Sequence, residues 1–224
     1  MTQIVTELKD LSLAHFISSA HLPQQWPEDI GVEVAFAGPS DVGTSSAINA
    51  ITGQSRLART SKTPGRTQQI VFFGIDDLRR IVDLPGYGYA KVPKELQRHW
   101  GKMVRLYLES RRSLKALILP IDIRRGVTNL DQQLLDWCNE RKLSVHILLT
   151  KSDKLSRSNG KRALFDIDNE IKSKLVTVQL FSVTRKVGIV EARIRLLAWL
   201  KEPPSTMSIR PILTNSNVNS EGNE

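Results

Sequence analysis

The sequence predicts an α/β protein folded as a three-layer sandwich, with a sheet between two layers of helices. From residue 32 to residue 200, apolar strand-like runs alternate with amphipathic helical patterns. The chain has 224 residues, 40% of them hydrophobic, so it can bury one substantial core. Such an alternation is typical of a mostly parallel sheet with helices on both faces.

The predicted elements occupy the middle of the chain. Six strands are predicted at VEVAFAG, QIVFFGI, RRIVDL, ALILPID, VHILLTK and VTVQLFS. Helical patterns are predicted at 45–53, 94–111, 130–142, about 161–174 and about 187–200. We therefore expect an N-terminal extension over 1–30, one domain over 31–202, and a Pro-, Ser- and Asn-rich disordered tail over 203–224.

The composition limits the kinds of site and location. Cys138 is the single cysteine, which excludes an intramolecular disulfide or a multi-cysteine zinc site and is compatible with a reducing cytosol. The N-terminus lacks a basic stretch followed by an apolar run, and no segment approaches the ~20 apolar residues that a membrane span requires. The sequence thus predicts a cytoplasmic protein without a membrane span, and a monomer is the default expectation.

The formal net charge of +9 favours polyanionic partners. Basic residues are concentrated in 56–66, at Arg79 and Arg80, in 91–112, and at Arg124 and Arg125. These clusters predict a surface that faces RNA. The alternative is that the charge serves only solubility.

A glycine-rich loop is predicted where the first strand passes into the first helix. It consists of Gly38, Pro39, Ser40, Asp41, Val42, Gly43, Thr44 and Ser45. The loop matches the phosphate-binding pattern G-x-x-x-x-G-K-[ST] except at Thr44, which replaces the lysine. A glycine-rich turn that caps the helix through Ser45 is the alternative interpretation.

Three further segments follow predicted strands and resolve that ambiguity. The first is the D-x-x-G segment Asp83, Leu84, Pro85 and Gly86, which in P-loop GTPases lies near Mg²⁺ and the γ-phosphate. The second is Thr150, Lys151, Ser152 and Asp153, whose carboxylate can accept from N1–H and the 2-amino group of guanine. The third is Phe181, Ser182 and Val183, expected near the guanine O6. Together they predict a guanine-nucleotide site at the carboxyl edge of the sheet.

Beyond these motifs, the chain resembles the EngB (YihA) family of bacterial GTP-binding proteins from about residue 31 to residue 200. The likeness rests on SRLARTSKTPGRTQ, VDLPGYGYAKVPKE, ESRRSLKALIL, DIRRG, LDQQLLDW and LLTKSDKLSR. It implies a Ras-like P-loop G domain with a mixed, mostly parallel six-stranded sheet. It also implies GTP and GDP as ligands, a role in assembly of the large ribosomal subunit, and a requirement in cell division and septation.

The resemblance assigns roles to particular residues. Ser45 and Thr67 would supply hydroxyl ligands to Mg²⁺. The first switch would comprise Gly65, Arg66, Thr67, Gln68 and Gln69. The second switch would be 83–86, and guanine would be held by 150–153 with 181–183.

The phosphate loop departs from the family pattern GRSNVGKSS at Pro39, Asp41 and Thr44. Loss of the ammonium group and gain of a carboxylate are both unfavourable for a triphosphate. One such charge pair at ~4 Å corresponds to roughly 4 kcal/mol at an effective dielectric constant near 20. We therefore expect GTP binding to be weakened more than GDP binding, and hydrolysis to be weak or absent. A K⁺ ion coordinated by Asp41 could replace part of the lost charge.

Two other departures concern packing. Pro120 is expected to remove a hydrogen bond from a central strand, unless a bulge or slight repacking accommodates it. Val183 replaces a smaller residue and is expected to crowd the base, with repacking as the alternative.

These observations leave more than one function open. The leading hypothesis is a Mg²⁺-dependent GTP-binding protein that associates with ribosomal precursors. The alternative is a nucleotide-independent RNA- or ribosome-binding protein that keeps the GTPase fold. An ATP-using kinase is disfavoured by the guanine-reading segment 150–153.

Overall fold

The computed structural model describes residues 10–39, 41–59, 69–87 and 94–202, with the backbone alone for 94–100. These residues form one seven-stranded sheet flanked by helices. The strands are β1 (His15–Ala20), β2 (Val32–Phe36), β3 (Ile70–Gly74), β4 (Arg79–Asp83), β5 (Leu114–Asp122), β6 (Ser144–Thr150) and β7 (Val176–Leu180).

The strand order is β1-β3-β4-β2-β5-β6-β7. β1 pairs antiparallel with β3 and β3 with β4, whereas the other neighbours are parallel. The predicted α/β fold with a mixed, mostly parallel sheet is therefore confirmed. β2 to β7 correspond to the six predicted strands, and β1 adds a seventh at the edge, from within the first 30 residues.

Five helices of eight or more residues occur in the described part of the chain. They are α1 (Thr44–Thr52), α2 (Lys94–Ser110), α3 (Asn129–Glu140), α4 (Arg157–Glu170) and α5 (Ile189–Lys201). α4 begins four residues earlier than predicted because Ser156 caps it, with its Oγ accepting from the Asn159 N–H at 3.3 Å. Among the described residues, no helix has the length and apolarity needed to cross a bilayer.

Two apolar clusters cover the two faces of the sheet and give the sandwich its three layers. Alternate residues of β2 divide between them, with Val34 and Phe36 on one side and Ala35 on the other. The first cluster is closed by α1 and α5, and the second by α2, α3 and α4. Every residue of β2 is buried, as expected for a central strand covered on both faces.

Pro120 is accommodated without a break in the sheet. The β5–β6 register continues through the Pro120–Leu148 pair to Asp122. The Ile118 carbonyl accepts from Ala37 N at 3.0 Å, so Ile118 and, two residues on, Pro120 both face β2. The β2–β5 pairing ends at Phe36 and Ile118, so the missing N–H lies beyond the last pair. The expected loss of a bond from within the ladder does not occur.

A buried charged cluster ties the amino-terminal ends of β2 and β4 to α2. The Glu33 side chain is fully buried and accepts from Arg80 Nε at 2.7 Å, Arg111 Nη2 at 2.6 Å and the Tyr107 hydroxyl at 2.8 Å. Burial, and then the neighbouring carboxylate, raise the pKa of Tyr107 well above its usual value. Both arginines also donate to carbonyls of residues 27–30, which fastens the segment before β2 to the sheet.

Candidate nucleotide site

Parallel pairing brings the predicted motifs to one edge of the sheet. β2, β4, β5, β6 and β7 all run in the same direction, so their carboxyl ends meet. The glycine-rich loop follows β2, and Asp83 and Thr150 are the last residues of β4 and β6. Phe181 and Ser182 directly follow β7. These are the four segments that the sequence assigns to one ligand.

The described part of the loop after β2 enters α1 through a glycine in the left-handed conformation. Gly43 precedes α1 with φ of 90°, a conformation that favours glycine. Gly38 lies against β5, where an added Cβ would come within 2.9 Å of the Pro120 carbonyl oxygen. The amino end of α1 therefore starts at this edge with its first N–H groups available to an anion. Ser40 lies outside the described residues.

The guanine-reading segment also anchors the glycine-rich loop. The Thr150 hydroxyl lies 3.0 Å from the Val42 carbonyl oxygen and 3.1 Å from that of Ile121. The Lys151 ammonium donates to the Asp41 carbonyl at 2.8 Å. Two side chains from the end of β6 thus fix the path of the loop that would hold phosphates.

Asp122, at the end of β5, holds Lys151 in this position. One carboxylate oxygen lies 3.1 Å from the Lys151 ammonium and 2.6 Å from Arg124 Nη2. The Arg124 guanidinium is the main cause that keeps the pKa of Asp122 well below its usual range. In the sequence, Arg124 and Arg125 were interpreted only as part of a basic surface, and Asp122 was not identified as a site residue.

The side chains of Ser45 and Asp83 contact each other at the predicted phosphate end of the site. The Ser45 hydroxyl donates to the Asp83 carboxylate at 3.2 Å. Burial raises the pKa of Asp83 to about 7, and the Ser45 hydrogen bond only partly offsets this effect. A buried carboxylate beside a hydroxyl, to which no cationic side chain of the described residues is bonded, fits the oxygen donors that Mg²⁺ prefers.

A self-contained metal cage is not formed by this part of the protein. The described residues contain no group of three or more His, Cys, Asp or Glu side chains that could hold a metal. Mg²⁺ usually binds to one or two protein oxygens together with phosphate and water. The Ser45 and Asp83 pair suits that mode.

Asp153, which the sequence predicts to bind the base, has its carboxylate held in place by a neighbouring loop. One of its oxygens accepts from the Ser182 hydroxyl at 2.6 Å, and this bond is the main cause that lowers the pKa of Asp153. The Ser152 N–H donates to the Phe181 carbonyl at 3.2 Å, which joins the two loops. An ionised carboxylate fixed in this way can accept from the paired donors of guanine.

Val183 follows at the surface of the same loop and is 42% exposed. Its carbonyl accepts from Lys186 N in a tight turn. The expectation that its side chain crowds the base stays a prediction.

The first-switch residues are described only in part. Gly65, Arg66, Thr67 and Gln68 lie outside the described residues, so the hydroxyl expected from Thr67 is not located. Gln69 is described, and its amide is within hydrogen-bonding distance of the His21 ring nitrogen Nε2. Leu84 is anchored by its N–H to the Phe36 carbonyl at 2.9 Å. Pro85 and Gly86 lead from it to Tyr87.

Comparison with known proteins identifies the family. Residues 33–151 match the family described as 50S ribosome-binding GTPase. The chain is 52% identical over 189 residues to a probable GTP-binding protein EngB from Nitrosococcus oceani, with 84% of this chain and 94% of the relative covered.

Solved structures agree on the fold. A crystal structure of a probable GTP-binding protein engB matches with a TM-score of 0.61 and 22% identity, covering 75% of this chain and 98% of the other. Era from Aquifex aeolicus bound to GDP·AlF4⁻ matches with a TM-score of 0.62 and 21% identity, covering 76% of this chain and 57% of the other. With the motifs assembled at one sheet edge and half of the residues shared with a curated relative, the chain belongs to the EngB family of GTP-binding proteins.

Proposed function

We propose that the protein binds GDP and GTP with Mg²⁺ at the carboxyl edge of its sheet and assists assembly of the large ribosomal subunit. The observation that carries the proposal is the convergence of three parts: the helix-capping glycine loop, the Ser45–Asp83 pair, and Asp153 held by Ser182. A role in cell division and septation follows from the family. We place the protein in the cytoplasm as a monomer.

Each part has a distinct task in this proposal. The backbone N–H groups at the start of α1 bind the phosphates, and Asp153 selects guanine over adenine. Ser45, Asp83 and Thr67 would hold Mg²⁺, directly or through water. When bound, that ion would neutralise part of the negative charge of the phosphates. The hydrogen bonds of Thr150 and Lys151 to the glycine-rich loop fix its position relative to the base-binding segment.

Thr44 and Asp41 set the balance between the two nucleotides. Lysine is absent at position 44, and Lys151 already donates to the Asp41 carbonyl and pairs with Asp122. We infer a preference for GDP over GTP and weak hydrolysis, because the γ-phosphate lacks its usual ammonium partner. K⁺ coordinated by Asp41 is a further proposal, which stimulation of binding by K⁺ over Na⁺ would support.

The ribosomal part of the proposal rests on charge and on the family match. The described surface carries well-exposed arginines on and after α2, including Arg105 and Arg112, whose side chains are 77% and 76% exposed. Arginines of this kind bind phosphate backbones with a strong dependence on salt. Co-sedimentation with large-subunit precursors, weakened by salt and by charge reversal at both arginines, tests this part.

The nucleotide part is tested by titrating the full chain with fluorescent GDP and GTP in Mg²⁺, with ATP as competitor. Binding that unlabelled GDP displaces and ATP does not is the expected result. The Thr44→Lys variant serves as the matched gain-of-charge comparison. If neither protein binds at millimolar nucleotide while both remain folded, the nucleotide-independent RNA-binding alternative replaces this proposal.

A further inference from the structure

Tyr87 connects the end of the D-x-x-G segment to the phosphate loop through its backbone. Its N–H donates to the Gly38 carbonyl at 3.2 Å, and residues Pro39 and Tyr87 form an isolated parallel bridge. The residue before it, Gly86, is the expected γ-phosphate contact. The position of that glycine relative to the phosphate loop therefore depends on where Tyr87 is held.

The side chain of Tyr87 is fastened to a different element. Its hydroxyl donates to Asp131 Oδ1, 44 residues away in the sequence, in the first turn of α3. Asp131 is fully buried, and its other oxygen accepts from the N–H and hydroxyl of Thr128 at 2.8 and 2.7 Å. Burial, and then the Asp131 carboxylate, raise the pKa of Tyr87 far above its usual value, so the hydroxyl remains a donor.

Asp131 thus has two structural roles. It completes the capping box of α3 with Thr128, which fixes its side chain in one orientation. It then offers the remaining oxygen to a tyrosine from the segment next to the nucleotide site. A buried carboxylate oriented by a helix cap is a rigid anchor, because moving it would break the cap as well.

We propose that Tyr87 is a positioning residue, which holds the D-x-x-G segment against the phosphate loop by anchoring it to the Asp131 cap of α3. The proposal rests on the nucleotide function proposed above. Tyr87 follows the D-x-x-G segment, the place where some GTPases carry a water-orienting side chain. Its hydroxyl is committed to Asp131, so Tyr87 acts through Gly86 and is not itself a catalytic residue.

Loss of the Tyr87 anchor is expected to affect the binding of GTP more than the binding of GDP. The second-switch backbone contacts the γ-phosphate, which GDP lacks. Loss of the anchor should therefore weaken GTP binding and leave GDP binding nearly unchanged. For Tyr87→Phe we expect GTP affinity to fall about tenfold, the scale of one buried hydrogen bond to a charged group, and GDP affinity to change less than about twofold.

The chain provides a matched control in Tyr107. Its hydroxyl also donates to a buried carboxylate, that of Glu33 at 2.8 Å, at the opposite end of the sheet. Tyr107→Phe removes the same group from the same kind of bond. We expect it to lower stability without changing the ratio of GTP to GDP affinity.

The experiment measures GTP and GDP affinities and amide hydrogen exchange for the full chain, with and without Thr44→Lys, carrying Tyr87→Phe, Tyr107→Phe or Asp131→Asn. A fall in the GTP-to-GDP affinity ratio and faster exchange at 84–87 are expected for Tyr87→Phe and for Asp131→Asn, and neither is expected for Tyr107→Phe. The Tyr87→Phe effect should also shrink in the Asp131→Asn background, because the two residues share one interaction.

Two results would overturn the assignment. One is an equal change, or no change, in both affinities for Tyr87→Phe, and the other is unchanged exchange at 84–87. If no variant binds nucleotide, the proposed function fails, and hydrogen exchange alone still decides whether the anchor holds the segment.

Discussion

We expect Asp83 to make the stability of the nucleotide-free protein fall as the pH rises towards neutrality. Burial raises the pKa of this carboxyl from 3.8 to about 7, with Ser45 as its hydrogen-bonding partner. Between these values the folded state holds a proton that the unfolded chain has lost, so the free energy of unfolding falls as pH rises from about 4 to about 7. About three pKa units correspond to a change of the order of 4 kcal/mol.

The matched variant is Asp83→Asn, which keeps the shape of the side chain and cannot ionise. In urea unfolding without Mg²⁺ or nucleotide, the variant and the unaltered chain should have similar free energies of unfolding at pH 4.5. At pH 7.5 the variant should be the more stable of the two. Buried His146 has a lowered pKa and contributes the opposite slope through pH 6.5, but it is common to both proteins and cancels in the difference.

Mg²⁺ supplies a second check on the same group. Binding requires the ionised carboxylate, so saturating Mg²⁺ should stabilise the unaltered chain more at pH 7.5 than at pH 5.5 and have little effect on Asp83→Asn. A stability difference between the two proteins that stays constant from pH 4.5 to 7.5 would refute the assignment of Asp83 as a buried carboxylate with a raised pKa.

Three further predictions concern charge. Thr44→Lys should raise GTP affinity at least about tenfold and GDP affinity less, as read by competition titration, because even a third of one charge interaction suffices; an equal gain for both would argue against a γ-phosphate effect. Asp153→Asn should lower the affinity for guanosine diphosphate about ten- to a hundredfold and raise the affinity for xanthosine diphosphate, whose 2-oxo group can accept from the new amide. An unchanged base preference would show that Asp153 does not contact the base. Glu33→Gln should cost about 3 kcal/mol in urea unfolding because it removes the buried carboxylate that Arg80 and Arg111 share. Asp76→Asn, which breaks the partly exposed pair with Arg79, should cost under about 1 kcal/mol; similar losses would contradict the burial argument.

Strands and motifs could be located from the sequence where a single segment carries the whole residue pattern. Apolar runs such as IVFFG and VHILLT locate strands because a strand that is covered on both faces of the sheet is apolar at successive positions. The motifs could then be placed at one edge, since parallel strands present their carboxyl ends together. β1 was missed because HFISSA is mostly exposed and carries no alternation of apolar and polar residues.

The long-range polar pairs could not be read from the sequence. Tyr87 and Asp131 are 44 residues apart, and Arg111 lies 78 residues from Glu33. Periodicity assigns a residue to a face of its own element, but it does not state which residue of another element it meets. Lys151 could be assigned to the base-binding segment, whereas its bond to the Asp41 carbonyl depends on how two loops approach in space.

A crystal structure of the full chain with GDP and Mg²⁺ would decide whether the nucleotide binds at the carboxyl edge of the sheet. We expect guanine between Asp153 and the loop at Ser182, phosphates at the start of α1, and Mg²⁺ beside Ser45 and Asp83. GDP bound elsewhere on the protein, or no GDP at this edge at millimolar concentration, would contradict it.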